Sequence, residues 1–158
     1  MMKKNLFSKL ISVSRRRSPW VYRVNAGSCN GCDIEVAPCF SPRYDGEQVG
    51  ALLQGSPKHA DILLISGPIT LRTKAMVKDI YEQIPSPKAV VAIGSCPASG
   101  NVFSGSPTIV GSAEAIIPVD LYVPGCPPRP QEILDAIQKA AIMLENGETR
   151  SQKEDSND

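Results

Sequence analysis

No run of apolar residues in this sequence approaches the roughly 20 needed to cross a bilayer, so a membrane-spanning helix is not expected. A bias of charge is missing as well. Lysine and arginine total 17 against 16 acidic residues, a net charge of +1. Phosphate backbones demand a basic stripe, and nucleic acid is therefore excluded as a partner. An export signal is absent too. Arg15-Arg16-Arg17 glances toward a twin-arginine leader, but Ser18-Pro19-Trp20-Val21-Tyr22-Arg23 follows, with a charge where an apolar h-region belongs. A cytoplasmic compartment is expected. There the cysteines, five and so odd in number, do not suit a disulfide framework, and metal or redox chemistry is the expected use. Histidine is nearly absent: His59 is the only one.

What the chain does have is enough length, 158 residues, for one compact domain with a real core. Three segments are expected: a basic amphipathic N-terminal segment over 1–19, one domain over 20–146, and a polar, disordered tail over 147–158. In the first, Leu6, Phe7, Leu10 and Ile11 recur at helical spacing with Lys3, Lys4 and Lys9 toward the other face. That pattern suits a helix lying on a membrane surface or a membrane-bound partner, and equally a frayed, solvated tail.

An α/β rhythm follows. Strands are predicted over Trp20 to Asn25, Asp61 to Ser66, Lys88 to Ile93 and Val119 to Val123. Their near-continuous apolar runs are those of strands buried on both faces. Helices are predicted over Asp45 to Leu53, over Leu71 to Gln83 with Thr70 as cap and Met76, Val77, Ile80 and Tyr81 on one face, and from Pro130 to a stop at Gly147. Strands alternating with helices imply an α/β fold: an open parallel sheet of about four strands with crossover helices.

In such sheets ligands gather beyond the carboxyl ends of the strands. Cys29 and Cys32 lie just past the first strand, Cys96 just past the third and Cys126 just past the fourth. Parallel strands put those ends on one edge, so four thiols from three distant segments are expected to meet there. His59 precedes the second strand and belongs at the opposite edge. An all-sulfur set of four fits a [4Fe–4S] cluster. The alternative is a tetrahedral zinc site, but zinc ribbons set two CxxC knuckles close together, whereas here two ligands are single, distant and each followed by proline. Cys39, the surplus cysteine, is expected to be a buried thiol, with substitution for one of the four ligands as the alternative. Glu35, by its position alone, suits a surface carboxylate at a helix start. Asp33 is expected only to solvate the loop.

The pattern Cys29-Asn30-Gly31-Cys32-Asp33-Ile34-Glu35, with Ser41-Pro42-Arg43-Tyr44-Asp45, His59-Ala60-Asp61, Gly67-Pro68-Ile69-Thr70, Gly94-Ser95-Cys96 and Val123-Pro124-Gly125-Cys126-Pro127-Pro128, resembles the small electron-transfer subunit of membrane-bound, energy-converting [NiFe] hydrogenases. That subunit is similar to the 20-kDa, cluster-N2 subunit of respiratory complex I. The resemblance covers about residues 20 to 145. It implies a flavodoxin-like fold holding one proximal [4Fe–4S] cluster, with Cys29, Cys32, Cys96 and Cys126 as ligands. It also implies that Glu35 lies near the active-site interface and takes part in proton movement.

The implied partners are a Ni–Fe-carrying large subunit, a ferredoxin-like two-cluster subunit and integral membrane ion-translocating subunits, at the cytoplasmic face of the membrane. In complex I the first two ligands are adjacent cysteines, whereas Asn30-Gly31 separates them here, which points to the hydrogenase branch. Neither the leader nor the long C-terminal cluster domain of periplasmic hydrogenase small subunits is expected. The rivals are a quinone-reducing complex I-like assembly, a sulfur-reducing membrane complex and, from another class, a structural zinc-binding module. A flavin-binding protein would want a phosphate loop where the first cysteines stand. Ile34, Val36 and Phe40 are candidates for a partner-facing surface. Arg43, with Tyr44 and Asp45, is expected either to fix the loop beside the cluster, to contact the large subunit, or to form an ion pair at a helix start.

Overall fold

The apolar runs become parallel strands. In the computed structural model, which describes residues 2–151, helix α1 (Met2–Arg17) leads into β1 (Trp20–Asn25). There follow α2 (Gly31–Cys39), β2 (Leu52–Leu53), β3 (Ile62–Ser66), β4 (Ile69–Thr70), α3 (Lys74–Gln83), β5 (Ala89–Ile93), α4 (Ser95–Ser99), β6 (Ile109–Gly111), β7 (Leu121–Val123) and α5 (Pro130–Asn146). Expectations that fall on the side chains of Leu6 and Phe7, or on residues 152–158, lie outside the described residues.

Five strands form one parallel sheet in the order β2-β1-β3-β5-β7. β3 and β5 are buried along their whole length, as strands covered on both faces must be. Alternate residues serve opposite layers. Ile62, Leu64, Val91 and Ile93 pack toward Val36 of α2 and Ile133 and Ile137 of α5. Leu63, Ile65, Val90 and Ala92 pack toward Val77 of α3, Ile117 and Val119. Each such aliphatic side chain, fully buried, contributes roughly 1.5–3 kcal/mol.

The register of the strands aligns their carboxyl ends. Asn25 pairs with Ser66, Ser66 with Ile93, and Ile93 with Val123. The last residues of four strands therefore stand in one row, and the turns that leave them start from a common edge.

Four expectations need correction. The sheet has five strands, because Leu52 and Leu53 add a short edge strand beside Trp20 and Val21. No helix forms over Asp45 to Leu53. Asp45 (φ 45°) and Gly50 (φ 83°) sit in the left-handed region and break the segment into turns. Arg43 therefore has no helix start to pair at, and its guanidinium lies 5.7 Å above the Tyr44 ring. Helix α3 begins later than predicted, with Thr73 rather than Thr70 at its cap position, because Thr70 is taken into β4. Met76 turns outward while Val77, Ile80 and Tyr81 pack on the core.

The fourth correction concerns Thr149 to Ser151, assigned by composition to a disordered tail. Thr149 and Ser151 are buried. The Ser151 hydroxyl donates to the Lys88 carbonyl (2.7 Å) and accepts from the Lys88 N–H (3.2 Å), and the Arg150 N–H donates to Asp120 Oδ1 (2.7 Å). Polar residues can be buried when each polar group finds a partner, which hydropathy does not register.

The closing turns of α1 are tied down by Arg16 to Glu145 of α5 (2.9 Å) and by Arg15 to Asp61, just ahead of β3 (3.2 Å). Leu10 and Ile11 are exposed. No helix among the described residues is long and apolar enough to cross a membrane.

Candidate metal centre

Each cysteine-bearing turn is shaped by its own sequence. After β1, the Asn25 carboxamide oxygen accepts the N–H groups of Gly27 (2.9 Å) and Ser28 (2.8 Å), folding the chain back on itself. Asn30, at φ 69°, then launches α2, which carries Cys32 in its first turn. After β5, Gly94 holds φ 89°, and a Cβ there would stand 2.7 Å from Cys32 Sγ. Only glycine lets this turn run so close to that sulfur. The turns after β5 and β7 are laced together: the Ser95 N–H (2.9 Å) and hydroxyl (3.1 Å) both donate to the Gly125 carbonyl.

The outcome is a single cavity of about 60 Å³ lined by Cys29, Cys32, Cys96 and Cys126, together with Ser28, Gly31, Gly67, Ser95, Gly125 and Pro127. Cys32 and Cys96 are buried, and Cys29 and Cys126 are exposed. The Cys32 thiol is pushed up to about 11, first by burial and then by the other three thiols, Cys96, Cys29 and Cys126. Cys96 is also pushed up by burial, against the pull of the Asn101 carboxamide. Sulfurs that repel one another in a small apolar hollow are stabilised as thiolates by a multiply charged cation, whose binding displaces their protons.

Among the described residues, no three or more His, Cys, Asp or Glu side chains converge tightly enough to clasp one ion. Four soft sulfur ligands on one cavity, with no imidazole in its lining, are a donor set that suits an iron–sulfur core. His59 lies away from them, edge-on to Trp20 at 6.2 Å between ring centroids, where β1 begins.

Asp33 does far more than solvate a loop. It is buried, and its carboxylate accepts four hydrogen bonds. Oδ1 receives Arg23 (2.9 Å) and the Ser66 hydroxyl (3.0 Å), and Oδ2 receives the Asn25 amide (2.6 Å) and the Ser28 hydroxyl (2.6 Å). One side chain thus ties the ends of β1 and β3 to the turn holding Cys29 and to the helix holding Cys32. One signal in the sequence pointed to it: the Asn25-Ala26-Gly27-Ser28 turn beside it, whose polar side chains need a partner.

Asn101, at φ 47°, was also missed. Its carboxamide N–H donates to Cys126 Sγ at 3.6 Å. Cys39 is fully buried, its thiol against the Glu35 carbonyl (3.3 Å) and the Pro130 carbonyl (3.5 Å), and does not line the cavity. Glu35 is half-buried on α2, one turn beyond Cys32. Of the three residues expected on a partner-facing surface, Ile34 is 66% exposed, whereas Val36 is buried and Phe40 packs onto the core.

Residues 29–140 match the model of one protein family, described as NADH ubiquinone oxidoreductase, 20 Kd subunit. The probable membrane-bound hydrogenase subunit mbhJ of Pyrococcus furiosus is 55% identical over 132 residues, covering 81% of this chain and 79% of that protein. Formate hydrogenlyase subunit 7 of Escherichia coli K12 is 39% identical over 144 residues, covering 91% of this chain and 54% of that protein. Among solved structures, a chain of the membrane-bound sulfane sulfur reductase, an archaeal respiratory membrane complex, superposes with a TM-score of 0.77 at 38% identity. That match covers 89% of this chain and 77% of that one.

Proposed function

The chain belongs to the family of the 20 Kd subunit of NADH ubiquinone oxidoreductase, and from that membership we propose that it is the electron-relay subunit of a membrane-bound, energy-converting [NiFe] hydrogenase. One [4Fe–4S] cluster is held by Cys29, Cys32, Cys96 and Cys126. Electrons originate in reduced ferredoxin and arrive through a ferredoxin-like two-cluster subunit. They are destined for the Ni–Fe centre of a large subunit, where H2 forms while integral membrane subunits translocate ions. The observation that supports this reading above all others is the meeting of four cysteines from three βα turns on one cavity.

When bound, such a cluster stores and releases one electron at a time. The chain's own residues set the conditions. Four sulfurs hold the iron, Gly94 brings backbone close to the Cys32 sulfur, and Asp33 fixes the turn between β1 and α2. Ile34, Val102 and Phe103 are exposed on the segments that carry Cys32 and Asn101, and offer an apolar face to the large subunit. The chain sits peripherally at the cytoplasmic face of the membrane, with α1 directed to the membrane or to a subunit within it.

The test is metal analysis and EPR of the anaerobically reconstituted chain after reduction. A [4Fe–4S]+ signal is expected. A colourless, EPR-silent protein holding one zinc overturns the reading.

Glu35 is assigned to proton movement at the interface with the large subunit. Glu35→Gln keeps size and polarity but cannot exchange a proton. It is expected to slow H2 turnover by roughly 100-fold, the scale of a lost acid–base group, with the cluster's EPR signal intact. Unchanged turnover rejects the assignment.

A second reading, in which the same relay delivers electrons to sulfane sulfur, is favoured by the similarity to the sulfane sulfur reductase chain. Nickel in the purified complex, with H2 evolution, supports the hydrogenase. Sulfur reduction without nickel supports the alternative.

A further inference from the structure

The loop that leaves Cys96 makes an abrupt reversal. Gly100 (φ 81°) and Asn101 (φ 47°) are consecutive left-handed residues. The Gly100 N–H is anchored on the Cys96 carbonyl at 2.7 Å. The Asn101 N–H meets the Ser99 hydroxyl at 3.4 Å. This double reversal carries the Asn101 side chain back over the cavity rim, where its amide donates to Cys126 Sγ, a sulfur on a different turn. The same carboxamide also acts on the Cys96 thiol, so one side chain serves two of the four cavity sulfurs, with Cys126 Sγ at 3.6 Å.

Resting on the cluster assignment above, we propose that Asn101 is a positioning residue that raises the cluster's reduction potential by directing a carboxamide N–H at the Cys126 sulfur. Reduction adds one negative charge, part of which resides on the ligand sulfurs. A dipole whose positive end faces a sulfur stabilises the reduced form more than the oxidised one, and hydrogen bonds to sulfur are among the factors that set cluster potentials. Cys126 is one of the two exposed cysteines, and at such a site water competes for the sulfur. A tethered donor at the rim is always present and always oriented, which solvent is not.

The left-handed backbone at 101 decides which substitutions are informative. Asn101→Gly suits φ 47° and removes the donor. Asn101→Asp keeps shape and backbone tolerance but places a carboxylate against the sulfur. The experiment is an EPR-monitored redox titration of the full chain, reconstituted anaerobically with iron and sulfide, in unsubstituted and variant forms.

The expected result for Asn101→Gly is a midpoint displaced to more negative values, a fall of up to about tenfold in the equilibrium constant for reduction. Tenfold corresponds to 59 mV for one electron. Asn101→Asp should move further in the same direction, with iron content unchanged in both. A midpoint that stays put or rises in both loaded variants overturns the inference and leaves the relay reading standing. Loss of the cluster from both also overturns it, by making Asn101 a residue that holds the site together. Absence of a reducible cluster in the unsubstituted chain strikes the relay reading itself.

Discussion

Replacing Cys126 with alanine is expected to abolish the iron–sulfur EPR signal and, in the assembled complex, to reduce H2 formation to background. The four sulfurs arise from three separate turns, so none has a neighbour able to take its place. Even residues that only support a metal ligand typically cost 10–100-fold in affinity when removed, and loss of a ligand is expected to cost at least about 100-fold. The fold should survive, because Cys126 is exposed and the turn around it is fastened independently by the Ser95 bonds to the Gly125 carbonyl. An unchanged far-UV circular dichroism spectrum checks this.

Cys39→Ala is the matching control. Its thiol is fully buried against the Glu35 and Pro130 carbonyls and does not line the cavity, so it is out of reach of the iron. The variant should retain the full signal and lose about 1 kcal/mol of stability. A signal that persists in Cys126→Ala, or vanishes in Cys39→Ala, would reassign the ligands.

The second large effect belongs to Asp33. Asp33→Ala is expected to cost about 3–5 kcal/mol, the range found when one partner of a buried charge network is removed. Most of that loss does not come from the Arg23 ion pair. The Arg23 side chain is 40% exposed, and a solvated pair of this kind is worth about 1 kcal/mol or less. The greater part comes from the groups left behind. The Ser66 hydroxyl is fully buried, and the Asn25 amide and Ser28 hydroxyl are partly so. A buried group that loses its good acceptor costs up to roughly 1–3 kcal/mol. Here the Ser66 hydroxyl would keep only a long bond to the Val24 carbonyl (3.5 Å), and the Asn25 amide one to the Ser28 hydroxyl (3.3 Å).

For a chain of this size that loss corresponds to a fall of about 6–20 °C in Tm. Thermal unfolding of the metal-free protein is the measurement to make, since a bound cluster adds stability by mass action and would mask the difference. Cluster loading should fall in parallel, because the turn bearing Cys29 loses its tie to the sheet. A Tm within a degree or two of the unsubstituted chain would show that the network is decorative.

The difference between Cys126 and Asp33 marks what could be read from the sequence. Runs such as Ile62-Leu63-Leu64-Ile65 announce strands buried on two faces, and parallel strands send their ends to one edge. The row Asn25, Ser66, Ile93 and Val123 follows from that, and it draws the four cysteines together. Helix α2 was not legible. It opens on Gly31, contains Pro38, and shows no apolar period strong enough to outweigh them. Asp33 was hidden with it, since an acid beside a predicted loop looks solvated until the loop is known to be a helix start packed on two strands. The segment over Asp45 to Leu53 failed the other way. Its apolar spacing suggested a helix, but left-handed backbone at Asp45 and Gly50 prevailed.

The lashing of α1 has a consequence for how the subunit is mounted. Arg15 and Arg16 secure that helix near the edge where the strands begin, whereas the thiols open at the edge where they end. A five-residue strand such as β3 keeps these poles about 16 Å apart. Under the proposed relay, attachment through α1 and electron transfer at the thiols would occupy opposite poles. A neighbour that grips the shaft of α1 would leave the cavity edge clear, so that the docking place for a partner carrier need not double as a bracket.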